Sequence, residues 1–212
     1  DGNSIAFKAD NVRAKVDFTT EKGEFISNEG VSKTELPFLQ YSCYVDKFAW
    51  DMDNKQLALV DTQSPKAEGF ASKNIRELVD SEQPGAKFVS THPNQGGLHF
   101  NSSKATLDLT ENKLSAGEVY LIKCADAGVR PGDGMVTIYP GAQMDTLENA
   151  TILANTESKL HEYRNARIHV ASSQIYSANG YIDYVDEDGK NHPVFISELN
   201  PLSGQSVGKG DI

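Results

Sequence analysis

The chain has 212 residues, of which 30 are acidic and 20 basic, giving a formal charge of −10 and a pI near 4.9. That balance argues against a nucleic-acid or anionic-membrane partner, because neutralising phosphates requires clustered Lys and Arg. No run approaches the roughly 18 apolar residues of a membrane span, and no charged-apolar-small signal pattern opens the chain.

Residues 5–27 read as two strands around a tight turn. Val12, Ala14 and Val16 alternate with Arg13, Lys15 and Asp17, and Thr20-Glu21-Lys22-Gly23 turns the chain. A second unit runs from Tyr41 to Trp50, turns over residues 51–55 and returns through Leu57 and Leu59. Next comes a long excursion, residues 62–84. In it Asn74 followed by Glu77 predicts a capping box on a short helix, stopped by Pro84-Gly85, with Ile75, Leu78 and Val79 as its buried stripe. A third unit, residues 98–120, turns at Thr110-Glu111-Asn112-Lys113. A fourth, residues 175–195, turns at Asp186-Glu187-Asp188-Gly189-Lys190. The order strand, Asp, polar turn with Lys, strand recurs four times.

A shorter repeat lies between the third and fourth units. Asn149-Ala150-Thr151-Ile152 and Asn165-Ala166-Arg167-Ile168 stand 16 positions apart (165 minus 149), each followed by period-two alternation. This spacing predicts Ile152 and Ile168 stacked on adjacent strands. The predicted fold is therefore all-β: a stacked β-jelly-roll or β-solenoid-like body with one short helix in a long excursion. One β-rich domain is expected over residues 1–202, with a flexible Gly/Ser-rich tail over 203–212.

Residues Ala9-Asp10-Asn11-Val12 through Glu24-Phe25, closed by Glu29-Gly30-Val31, resemble one repeat of the OstA-like family. Residues Ser103-Lys104-Ala105 through Lys113-Leu114, closed by Gly117-Glu118-Val119, repeat that signature. The family comprises the periplasmic β-jelly-roll bridges of lipopolysaccharide transport. Tyr41 to Trp50, Phe88-Val89-Ser90-Thr91-His92-Pro93 and Val136-Thr137-Ile138-Tyr139-Pro140 are similar to parts of large extracytoplasmic proteins of the Bacteroidetes group. The resemblance implies a periplasmic, outer-membrane-surface or secreted β segment of a longer polypeptide. It carries no catalytic residues, and the partners expected of the segment are lipid or glycan of the envelope and flanking domains of the same polypeptide, with no nucleic acid.

No catalytic constellation emerges from the spacings. Asp186-Glu187-Asp188-Gly189 fails the EF-hand pattern, since its first and twelfth positions fall on Tyr184 and Phe195. His92, His99, His161, His169 and His192 lack zinc spacing, and no Gly-x-Ser-x-Gly elbow exists. Cys43 and Cys124 allow either two buried thiols or one disulfide. The expectation is a non-enzymatic structural or scaffold module with no cofactor and no metal. Asp183, Asp186 and Asp188 are the carboxylates that would carry any hydrolytic chemistry. The alternative is a carbohydrate-binding β-jelly-roll module. On a single strand Tyr44, Phe48 and Trp50 share one face, with Tyr41 on the other, which makes those three the candidate ligand-contact aromatics.

Overall fold

The computed structural model describes residues 5–202 and 205–210. Its strands form two antiparallel sheets, and the chain assigns them in hairpins to one sheet and then the other. After β1 (Lys8–Ala9), the hairpin of β2 (Val12–Asp17) and β3 (Lys22–Ser27) joins the smaller sheet. The next, β4 (Ser32–Leu36) with β5 (Tyr41–Val45), joins the larger, and β6 (Lys47–Asp51) with β7 (Gln56–Val60) returns to the smaller.

The alternation continues beyond the excursion. β8 (Ala86–Ser90) and β9 (His99–Ser102) lie in the larger sheet, β10 (Lys104–Asp108) and β11 (Lys113–Gly117) in the smaller. Then β12 (Ile122–Cys124) and β13 (Ala127–Arg130) join the larger, β14 (Val136–Tyr139) and β15 (Gln143–Met144) the smaller. From there a meander of β16 (Leu147–Ala154), β17 (His161–Val170), β18 (Tyr176–Val185), β19 (Asn191–Leu202) and β20 (Gln205–Gly210) extends the larger sheet alone. The final strand takes in part of the expected tail, whose other residues lie outside those described.

Alternate side chains of both sheets meet between them. Tyr41 and Cys43 on β5, Phe48 on β6, Leu57 and Leu59 on β7, and Phe88 and Phe100 on β8 and β9 belong to one continuous core. Each large apolar side chain buried there contributes roughly 1.5–3 kcal/mol relative to exposure. This is the all-β architecture expected from the alternation: two large antiparallel sheets with one short helix among the described residues.

The recurring Asp turns have a local cause. In the hairpins β2–β3, β6–β7 and β10–β11, an Asp accepts backbone N–H groups from inside the turn. Asp17 takes those of Thr19 and Thr20, Asp51 that of Asn54, and Asp108 those of Thr110 and Glu111. Four positions after each Asp the backbone adopts positive φ, at Glu21, Lys55 and Asn112. The same turn is thus used three times along the smaller sheet. Asp186 plays a similar part in β18–β19, accepting from Lys190 N, with Gly189 at positive φ.

The short repeat marks β-bulges. Asn149 and Asn165 both have φ near +50°, and the pairing register of their strands shifts around them. Asn tolerates this left-handed conformation better than other residues with a Cβ. Ile152 and Ile168 are fully buried on neighbouring strands, as expected, but they are not stacked on each other. β16 and β17 run antiparallel, so Ile152 faces Tyr163 while Ile168 faces Leu147. A 16-residue offset across an antiparallel pair reverses the direction of the pattern, and only Ala150 and Ala166 come directly opposite.

The excursion carries the predicted helix. α1 (Ile75–Leu78) starts at Asn74, whose side chain accepts from Glu77 N while the Glu77 carboxylate accepts from Asn74 N. Ile75, Leu78 and Val79 are buried against Leu121 and Leu153 on the outer face of the larger sheet. Gly128 lies beneath them; a Cβ there would stand 2.8 Å from Val79 Cγ1. Arg130 pins the preceding loop by donating to the carbonyls of Lys73 and Ala71.

Candidate functional site

The sheets separate the three aromatics that the sequence puts on one face. Asp46 alone divides β5 from β6, and at this corner the chain passes from the larger sheet to the smaller. Asp46 is buried, its carboxylate accepting from Thr62 N and the Thr62 hydroxyl, so the corner is fixed. Phe48 is 0 % exposed, and Trp50 packs against the core beside Phe25. Tyr44 instead stands on the outer face of the larger sheet, 38 % exposed. Phe48 therefore belongs to the interior, Trp50 is half-buried at the rim of a depression on the smaller sheet beside Lys22, Ala49 and Gln56, and Tyr44 stands on the other sheet. Tyr41 points inward, opposite to Tyr44, as the alternation requires.

Tyr44 lies in a cross-strand row. Lys33 on β4, Tyr44 on β5, Lys87 on β8 and Asn101 on β9 are successive register partners across the outer face. The excursion forms a wall beside this row. A depression of about 450 Å³ lies between them, lined by Tyr44, Lys87, Asn101, Asp61, Gln63 and Glu82. A second, of about 330 Å³, shares Glu82, Gln83, Lys87 and Asn101 with the first and reaches His99 and Lys123. Together they make one groove running across the strands.

Hydrogen bonds hold the groove in shape. Asn101 Nδ2 donates to the carbonyls of Gln83 at 3.2 Å and Gly85 at 3.1 Å. Gln83 Nε2 donates to Leu78 O at 2.8 Å and Ser81 O at 3.0 Å, leaving its buried Oε1 with no partner among the described residues. Gly85, at φ +87°, passes so close to β9 that a Cβ would fall 2.2 Å from the Ser102 backbone. Asp61 Oδ1 accepts from Gln63 N and Ser64 N, bracing the other end of the wall.

The remaining candidates are engaged elsewhere. Asp183 pairs with Arg164 on the neighbouring strand β17, and Asp186 is bonded to His192 at 2.6 Å and to Lys190 N within its own hairpin, so two of the three hairpin carboxylates are already engaged. Those contacts hold the Asp186 carboxyl below its ordinary range, chiefly through the Lys190 N–H. His92 accepts from Asn94 N at the start of a 3-10 turn, and His99 Nδ1 contacts Gly97 O. Both cysteines are buried free thiols. They sit on β5 and β12, three strand spacings apart in the larger sheet, or roughly 14 Å, twice the reach of a disulfide. Burial pushes both thiols up to about 12.

No family model, curated protein or solved structure matches this chain. Sequence reasoning missed Lys87, Asn101, Gln83 and Glu82, because nothing in their spacing marks them. They come from two strands and the excursion, and only the register of the larger sheet sets Tyr44, Lys87 and Asn101 in a line.

Proposed function

We propose that this chain is a non-enzymatic structural module of a larger envelope or secreted protein. In this reading its outer faces meet lipid, glycan or other envelope components, and flanking domains of the same polypeptide. The observation that carries it is the use the fold makes of its reactive groups. Both thiols lie inside, and burial keeps them protonated at neutral pH, which removes the nucleophilic thiolate. Of the foremost hydrolytic candidates, Asp183 is paired with Arg164 of β17, and Asp186 is held by Lys190 N and His192 within its own hairpin. The placement outside the cytoplasm rests on the resemblance of residues 9–25 and 103–114 to the OstA-like repeat.

The test is turnover. The purified chain should show no glycosidase, esterase or peptidase activity above background, with or without calcium. Activity that disappears in Asp183→Asn or Asp186→Asn, while the thermal melt is unchanged, would overturn the scaffold reading. The carbohydrate-binding alternative loses Phe48 to the core, and its other two aromatics, Tyr44 and the half-buried Trp50, stand on different sheets.

A further inference from the structure

We propose that the groove over the outer face of the larger sheet binds a short neutral oligosaccharide laid across the strands, with Tyr44 as its stacking platform. The inference goes beyond the scaffold reading and does not depend on it, since a catalytically inert module can hold a glycan.

Polar groups in the groove stand without partners among the described residues. Charged side chains elsewhere on the surface are often paired, as in Lys22–Asp51, Arg164–Asp183 and Lys159–Asp80. In the groove they are not. The Tyr44 hydroxyl, the Lys87 ammonium and the Glu82 carboxylate form no hydrogen bond or ion pair with any described residue, yet all line one depression. Next to them Gln83 keeps a buried, unmatched carbonyl oxygen.

The charges of the groove balance. Lys87 and Lys123 on the floor face Asp61 and Glu82 on the wall, two cations against two anions. Such a lining carries no net formal charge that would favour an anion over a cation. It offers donors and acceptors side by side, which suits a polyol whose hydroxyls both donate and accept. An exposed tyrosine adds a flat apolar face beside a polar tip, suited to the C–H face of a pyranose ring.

The groove is also preorganised. The floor is a sheet, and the wall is tied to it by Asn101, Gly85 and, further along, Arg130. A site whose polar groups are already fixed loses little entropy on binding. The groove crosses several strands, so its length favours a linear chain over a single sugar.

The experiment uses the ¹⁵N-labelled chain and a panel of neutral hexasaccharides: maltohexaose, cellohexaose, mannohexaose and xylohexaose. At least one should move the side-chain amide resonances of Asn101 and Gln83 and titrate with a sub-millimolar Kd. Tyr44→Ala should weaken it by about tenfold or more, and Glu82→Gln by a smaller factor, with melting temperatures unchanged. Tyr139→Ala, on the smaller sheet, should leave binding intact. The proposal falls if no member of the panel moves those resonances at about 5 mM, a concentration that reveals even millimolar affinity. It also falls if binding survives both Tyr44→Ala and Glu82→Gln, if Tyr139→Ala weakens binding as much, or if an extended peptide or a lipid vesicle occupies the groove and the sugars do not.

Discussion

At the scale of single residues, the interior holds polar atoms that the core does not satisfy. The Tyr41 hydroxyl is buried without a partner among the described residues. Removing it leaves the ring's apolar contacts in place, so Tyr41→Phe should raise the melting temperature or leave it unchanged. A clear fall would mean that the hydroxyl has a partner the protein depends on. The buried thiols add a pH dependence. Their folded values, near 12, lie above an ordinary value near 9. Keeping them protonated therefore stabilises the fold fully below pH 9, and that contribution is lost as pH rises toward 12. The melting temperature should drop over this window, less steeply in a Cys43→Ala/Cys124→Ala double variant. Ile152 and Ile168 were legible as core from alternation alone, and either changed to Asp should cost several kcal/mol, roughly the penalty of a buried unpaired carboxylate. Thermal melts equal to the parent's would contradict their burial.

At the scale of elements, turns and caps carried the clearest sequence signals, because each is closed by side chains a few residues away. The Asn74 cap is one. Asn74→Ala should cost about 1 kcal/mol of local stability. The loss should appear as faster amide exchange in residues 75–79, with the sheets little affected. The Asp turns are another. Hydrogen bonds from the turn N–H groups hold the carboxyls of Asp17 and Asp108 below their ordinary value, and that of Asp51, with Lys22 as the largest cause, lies down at about 2. Whatever stability these groups add is present above pH 4 and is lost as pH falls through the folded values. The parity of Tyr44, Phe48 and Trp50 was illegible for a reason at this same scale. A single corner residue, Asp46, moves the chain to the other sheet and resets which face is inward. Nothing in Val45-Asp46-Lys47 distinguishes a corner from a continuing strand.

At the scale of the whole molecule, the two sheets end unevenly. The smaller stops at β15, while the larger continues through β17, β18, β19 and β20. The far half of the β18–β19 hairpin consequently exposes Tyr181, Tyr184, Val185 and Phe195, and the sandwich core lies elsewhere. Amides of residues 182–195 should exchange faster by orders of magnitude than those of β9, β12 and β13, because opening the hairpin disrupts few buried contacts. Uniform protection along β18 would show that the uncovered hairpin is as stable as the sandwich.

The class of this protein was legible in its letters: strands from period-two alternation, turns from Asp and polar runs, one helix from its cap. Those features arise from residues near one another in the chain, and their chemistry is written in adjacent letters. Only the tertiary structure decided which strands share a sheet, which ring faces water, and that Tyr44, Lys87 and Asn101 stand in a row. Tyr44 and Asn101 are 57 positions apart (101 minus 44), joined through Lys87 by strand register. Register is set by burial of the opposite faces across the whole sheet, a sum over many residues that no local pattern contains.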